Sequence, residues 1–421
     1  MKINETKKSR RHFLKAVGAI SAASIINPLV PSSSAPEDKH PTTAGPVTVP
    51  KRPFGKTGVD VSMLSLGGVL GESDQLVFRQ AFNMGVTYWD TADSYGWGSN
   101  EKAIGRYLTR YPNDRETIFL VTKAATSDPR ELTEKLNRSL ERMNTSYIDL
   151  YFIHYVKDVK EELTPEVKRW AEKAKAGGKI RLFGFSAHKN MENCLLDASK
   201  LGWVDGIMMS YNYRLMVRDG MKKAVDACAK KGIGLTAMKT QASFSANFYA
   251  SIGSETDSAL GLTEHFLKKG FTAEQAKLKA VWENPNIASI CSAMPNMTIL
   301  QANAAAAANK TRLSASDKKR LFQYAQKTSP GYCSGCSTIC ESAVNEKVPI
   351  SDLMRYAMYH DSYNEKQMAK MLFKKLPDAT RAKILTADYR AAEERCPQKM
   401  NIGDILRHAC TTLSSHRIEL S

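Results

Sequence analysis

Beyond residue 35 the chain has no apolar run long enough to span a bilayer, which excludes an ordinary transmembrane helix from its main body. It also lacks a G-x-G-x-x-G fingerprint after its first strand-like segment, residues 63–68 (MLSLGG). An open doubly wound sheet that grips a dinucleotide normally carries that fingerprint, so that fold is disfavoured. Acidic residues are in deficit, 43 against 60 Lys and Arg, for a net charge of +17. Such a balance suits an anionic partner. Yet no nucleic-acid recognition motif accompanies it, and the basic residues mix with acids and alanines in stretches such as EVKRWAEKAKAGGK. They read as solvated helix faces, and no nucleic-acid partner is expected.

What is present begins at the N-terminus. Residues 7–15 read KKSRRHFLK, a short apolar run AVGAISAASIINPLV follows, and then a Pro/Ser-rich VPSSSAPEDKHP. A basic region, a short apolar region and small residues make an export signal. The Arg10-Arg11 pair makes it resemble a twin-arginine (Tat) signal, which implies the Tat machinery as a partner and a periplasmic or otherwise exported protein. A membrane anchor or a chance basic helix is the other reading, though the run is short for a span and holds Ser and Asn. The expected division is signal 1–35, linker 36–51, main domain 52–312 and tail 313–421.

In the main domain, short β-rich runs alternate with helical stretches. The runs are MLSLGG, VTYWDTA, IFLVTK, IDLYFIH, IRLFGFSA, GIMMSY, GLTAMKT and ASICSA. Strand–helix alternation implies parallel strands. Eight such units in about 250 residues predict an α/β fold, a (β/α)8 TIM barrel, more readily than an open sheet. After GLTAMKT a long connection, residues 241–270, is a candidate functional loop.

Four polar residues fall at matching places. Asp90 ends the second strand, Tyr95 follows it in the loop, Lys123 ends the third and His154 ends the fourth. In a barrel these positions converge on the C-terminal mouth, where active sites are built. Taken singly they would be a helix cap, a packing ring, a snorkelling lysine and a satisfied histidine; together they suit carbonyl reduction. Hydride must reach carbon and a proton must reach oxygen. A phenol is a weak acid at neutral pH, a neighbouring ammonium lowers its pKa, a carboxylate holds the ammonium, and an imidazole orients the substrate oxygen.

The stretches WDTADSYG, FLVTK and LYFIH resemble the signature segments of the aldo/keto reductase family, over roughly residues 52–309. The resemblance implies NADP(H) or NAD(H) as cofactor, a small carbonyl or alcohol substrate, and the tetrad Asp90, Tyr95, Lys123 and His154, with Tyr95 as general acid/base. GFSAH is similar to the nicotinamide-contacting segment and implies Ser186; SYN implies Tyr211 near the nicotinamide. AMKT implies Met238, Lys239 and Thr240 near the pyrophosphate, and SAMPNMTILQAN implies Ser292, Asn296 and Asn303 near the adenosine phosphate. The chain departs from the pattern at Ala187 and Met208, where the family often has Asn and Gln, and it lacks the usual Arg for a 2′-phosphate. The substrate pocket is expected from the loops after the first, fourth and seventh strands and from Trp97.

The tail carries Cys333-x2-Cys336-x3-Cys340 and, at a distance, Cys396-Pro397. Three close cysteines and a remote Cys-Pro form an iron–sulfur ligand pattern. Zinc and disulfides remain the alternatives. YCSGCSTICES and ERCPQKMNIGDILRHA resemble the ferredoxin-type tail of one branch of aldo/keto reductases, which implies one [4Fe-4S] cluster on Cys333, Cys336, Cys340 and Cys396. Ala392 and Tyr389 stand where a second cluster's ligands would fall. Cys194, Cys228 and Cys291 read as core residues, and Cys410 as a bystander. A reductase is therefore expected; a cofactor-eroded barrel serving as scaffold for an electron-transfer module is the alternative.

Overall fold

The computed structural model describes residues 47–242, 254–361 and 365–414. The signal expected at 1–35, and part of the long loop after the seventh barrel strand, lie outside the described residues. The first element of the described residues is a small antiparallel hairpin, β1 (Lys51–Pro53) and β2 (Asp60–Ser62), which no sequence pattern marks. Eight parallel strands then close into a barrel: β3 (Leu64–Gly67), β4 (Tyr88–Asp90), β5 (Phe119–Ala124), β6 (Ile148–Ile153), β7 (Ile180–Ala187), β8 (Gly206–Ser210), β9 (Gly234–Met238) and β10 (Ser289–Ala293). The last pairs with the first, Ile290 opposite Leu64. Each of the eight expected runs supplies one strand.

β5 (FLVTKA) and β6 (IDLYFI) are buried along their whole length, as parallel strands covered on both faces must be. Side chains still alternate. Phe119 and Val121 on β5 and Leu150 and Phe152 on β6 fill the barrel interior. Leu120, Tyr151 and Ile153 pack outward against the helices. The interior parity ends at the mouth with Lys123 and His154, and on β4 it runs from Tyr88 to Asp90. The opposite end is plugged by Phe54, fully buried against Tyr88 and Phe119. Gly206 and Gly234 admit that ring: a Cβ on either would stand 2.8 Å or less from it.

The tail has a hydrophobic core of its own, centred on Leu353, Phe373, Ile384, Leu406 and Leu413. The helix Ala315–Lys327 packs instead with the barrel, through Leu321 and Ala325. No described helix is long and apolar enough to cross a membrane.

The tail is bolted to the mouth on the side of β7, β8 and β9. Arg214 donates to the Ala325 carbonyl at 2.9 Å and the Thr328 hydroxyl at 2.6 Å. Asn212 donates to the Tyr332 hydroxyl at 2.8 Å. Lys189 meets Asp352 at 2.7 Å, and Arg355 donates to the His188 carbonyl at 2.9 Å. Gly335, at φ +76°, lets the tail loop close on β7's exit, where a Cβ would stand 2.6 Å from the His188 carbonyl.

Candidate active site

Strand ends bring the tetrad together. Lys123, 1 % exposed, gives its three ammonium protons to the two oxygens of Asp90 at 2.6 and 2.7 Å and to the Thr91 carbonyl at 2.7 Å. Its Nζ stands 5.1 Å from the centre of the Tyr95 ring. Tyr95 and His154 meet edge to face with centroids 5.7 Å apart. Gly96 and Trp97, both with positive φ, turn the chain sharply just after Tyr95. Burial pushes the Asp90 carboxyl up, with Lys123 pulling the other way.

From the sequence, the Lys123 ammonium is expected to lower the Tyr95 pKa. The geometry corrects this. Lys123 is consumed by Asp90 and Thr91, while burial, and then the Asp90 charge, hold the Tyr95 phenol well above its ordinary value. Tyr95 is therefore a protonated donor in this state, the form that carbonyl reduction requires.

His154 is 3 % exposed, and neither ring nitrogen has a hydrogen-bond partner among the described residues. Its ring stacks on Tyr155 at 3.6 Å. Burial, followed by Lys123, Lys239 and Arg355, holds its pKa well below the usual imidazole value. A depressed imidazole stays neutral, so His154 offers one N–H and one lone pair. The expected outcome is that an NMR titration of His154 shows no inflection near the ordinary value of about 6.5; a midpoint there would remove its role as a neutral hydrogen-bond donor.

The segments expected around a cofactor are placed unevenly. The Ser186 hydroxyl accepts the Tyr155 N–H at 3.2 Å and so fixes the strained turn after His154, where Tyr155 has φ +68°. Met238 faces the barrel interior, Lys239 leaves β9 at φ +56°, and Thr240 is buried. Asn303 donates to the Ser292 hydroxyl at 3.1 Å. Asn296 caps the helix Met297–Ala308, its side chain accepting the Ile299 N–H. Tyr211 does not reach the mouth: it packs in the outer layer and its hydroxyl accepts from Asn284 at 2.8 Å. Ala187 also faces the helices, and Met208 the interior. Trp97 is 78 % exposed.

No sequence motif marks the residues that the tail brings. A cavity of about 1150 Å3 beside His154 is lined by Thr126, Tyr155, His188 and, from the helix Ile350–Asp361, by Arg355, Tyr356 and Tyr359. Lys239 donates to the Tyr359 hydroxyl at 3.4 Å. Burial pushes the Tyr359 phenol up, but Lys239 and Arg355 outweigh it and hold the phenol below its ordinary value.

All eight cysteines are free thiols. Cys333, Cys336, Cys340 and Cys396 line one cavity of about 370 Å3. Burial pushes the thiols of Cys333 and Cys340 up to about 12. Among the described residues no group of three or more His, Cys, Asp and Glu is gathered tightly enough to hold a single metal ion. Cys194 and Cys228 are core thiols with Cys228 fully buried, and Cys410 lies in the tail core. Cys291 stands inside the barrel mouth beside Asp90, its thiol well raised by burial.

Comparison with known proteins meets this geometry. Residues 69–258 match the sequence model of the aldo/keto reductase family. An aldo-keto reductase [NADP(+)] of Schizosaccharomyces pombe is 28 % identical, covering 44 % of this chain and 56 % of that one. Versiconal hemiacetal acetate reductase of Aspergillus parasiticus is 27 % identical over 43 % of this chain and 64 % of its own. The chain thus spans less than two thirds of these relatives' length. A holo aldo-keto reductase from Bacillus halodurans shares the fold at TM-score 0.52 and 21 % identity, over 66 % of this chain and 96 % of that one. The thermostable aldo-keto reductase Tm1743 does so at 0.52 and 23 %, over 65 % and 99 %. The chain therefore carries, over residues 69–258, a match to the aldo/keto reductase family, set on an eight-stranded closed barrel.

Proposed function

We propose that the chain is an oxidoreductase of the aldo/keto reductase type, moving hydride between NADP(H) or NAD(H) and the carbonyl or alcohol of a small molecule, with Tyr95 as general acid/base. One observation carries this reading: a lysine and an aspartate are paired in full burial beneath Tyr95 and His154, whose ring nitrogens have no partner among the described residues. Buried charge of this kind is costly for a mere scaffold. The S. pombe relative's NADP(+) supports the cofactor class.

The residues fit such a cofactor better at its phosphate end than at its ring. Lys239, and the helix N-terminus at Asn296 with Ser292 and Asn303 behind it, would hold the anionic groups. Ser186 would stand by the nicotinamide, but Tyr211 offers it no face. When bound, the nicotinamide supplies the hydride. The chain's own residues do the rest. His154 donates one N–H to the substrate oxygen and so orients the carbonyl. Tyr95 delivers its proton to that oxygen, its ring seated beside the buried Lys123–Asp90 pair. The large cavity beside His154 takes the substrate.

The four tail cysteines are read as ligands of one [4Fe-4S] cluster, because all four residues line one cavity and four thiolates suit iron–sulfur chemistry. The cluster ties the tail to the barrel mouth. Export through the Tat pathway, which carries folded proteins, accords with a cluster inserted beforehand. Cys336→Ser is expected to lose iron and acid-labile sulfide and to loosen the tail, while Tyr95-dependent turnover persists with a raised KM. Loss of all turnover together with the iron would make the cluster part of the reaction.

The turned-away Tyr211, with Ala187 and Met208, favours a second reading, an eroded barrel that supports an electron-transfer module. An anaerobic absorbance titration with NADPH and then NADH, followed by a carbonyl panel, separates the two. Carbonyl-dependent nicotinamide oxidation establishes the reductase. A reducible chromophore with no nicotinamide binding establishes the scaffold.

A further inference from the structure

A second cavity, of about 690 Å3, lies between the barrel mouth and the tail. The barrel contributes His188, Ser210 and Lys239 to it; the tail contributes Ser334, Ser351 and Arg355. Three of these are more than nine-tenths buried, His188 at 8 %, Ser334 at 5 % and Ser351 at 2 % exposure. Among the described residues, both ring nitrogens of His188, both serine hydroxyls and the Nε of Arg355 lack a hydrogen-bond partner. Buried polar groups are normally satisfied. Unpartnered donors and acceptors gathered around one space suit a ligand with oxygen atoms to bond.

Charge decides which ligand. Two cations, Lys239 and Arg355, face the cavity. The carboxylate lining it, Asp361, is hydrogen-bonded to the neighbouring His360 at 2.8 Å, so the two cations outnumber it. Lys239 sits on a strained backbone at φ +56° and is met by the Tyr359 hydroxyl at 3.4 Å, a weak partner for an ammonium. Ser334 and Ser351 also border the cysteine cavity, and His188 and Arg355 the cavity beside His154; the groups here that can donate to an anion by charge or ring N–H are Lys239, Arg355 and His188. A guanidinium fork, an ammonium and an imidazole around one space suit phosphate oxygens.

We infer that the tail completes a binding site for a phosphate or diphosphate group, held by Lys239 and His188 of the barrel and Arg355 of the tail helix. The tail is thereby part of the ligand site as well as a carrier of cysteines. This deepens the reductase reading, on which it rests only for the source of the anion. The group belongs either to a dinucleotide cofactor or to a phosphorylated substrate.

Isothermal titration of the full-length protein with inorganic phosphate and inorganic pyrophosphate tests the site directly, without turnover. One pyrophosphate per chain is expected to bind. Arg355→Gln is expected to weaken it by about tenfold or more, the loss typical of a hydrogen bond to a charged group. Arg355→Lys should restore part of it, and Lys347→Gln, an exposed charge removed elsewhere on the tail, should leave it unchanged. Melting curves confirm that each variant is folded. Competition between pyrophosphate and NADPH assigns the anion to the cofactor; simultaneous binding assigns it to the substrate. Pyrophosphate binding that Arg355→Gln abolishes, in a protein that binds no nicotinamide nucleotide, sinks the reductase reading and leaves the anion site standing. No binding of either anion to the wild type, or equal binding to wild type and Arg355→Gln, overturns the inference.

Discussion

Tyr95→Phe is expected to lower carbonyl reduction about 10²- to 10⁴-fold, the range for loss of a general acid, with KM and stability nearly unchanged. The phenylalanine ring keeps the contacts that seat Tyr95, the edge-to-face packing on His154 at 5.7 Å and the Lys123 ammonium 5.1 Å from its centre. What it loses is the proton. His154 is a poor replacement: its pKa is depressed by burial and by Lys123, Lys239 and Arg355, so it holds no surplus proton at neutral pH. Lys123 is committed to Asp90 and Thr91. Single-turnover nicotinamide absorbance with the variant and a reducible aldehyde reads the effect. Unchanged turnover would refute the role given to Tyr95. The direction of the phenol's shift adds a second signature. Burial and Asp90 hold Tyr95 well above its usual value, so the reductive rate should show no loss of the Tyr95 proton as pH rises through the neutral range.

The barrel was legible because its strands announce themselves. Runs such as FLVTKA and IDLYFI are buried on both faces, and each of the eight ends in a turn or helix signal. The gathering of Asp90, Lys123 and His154 at one mouth was legible for the same reason: they share the inward parity of their strands. That parity also contained a warning that the family resemblance overrode. On β8, Met208 faces inward, so Tyr211, three residues on, must face the helices, where it packs. On β7 the inward residue after Ser186 is His188, a cavity residue that no motif marked. Parity read to the end of each strand would have exchanged Tyr211 for His188.

The tail's contribution was not legible. Arg355 and Tyr359 sit in an amphipathic helix whose sequence says only that one side is apolar. Which barrel loop that helix meets depends on long-range contacts, such as Asn212 with Tyr332 and Lys189 with Asp352. Neither has a local sequence signal. The hairpin β1–β2 escaped for a different reason: three-residue strands around a Gly-containing turn fall below the length at which alternation can be seen.

Lys123→Met is expected to cost about 3–5 kcal/mol of stability, the penalty for leaving the partner of a buried ion pair uncompensated. Asp90 is 3 % exposed, and the Lys123 ammonium is the charge that both its oxygens meet. The cost should depend on pH. Asp90's carboxyl already stands above its ordinary range because burial opposes its ionisation, with Lys123 pulling the other way. Without Lys123 the folded variant keeps the Asp90 proton to a still higher pH than the unfolded chain does. A folded state that binds the extra proton loses stability as pH rises. The deficit against wild type should therefore be smallest in acid and widen as pH climbs through Asp90's raised pKa. Urea unfolding of both proteins across that range reads it. Adding Asp90→Leu to Lys123→Met should recover most of the stability, since the pair is then replaced by apolar contact, but none of the turnover. A deficit that is flat with pH, or a double variant as unstable as the single one, would mean that the buried charge on Asp90 does not govern this site.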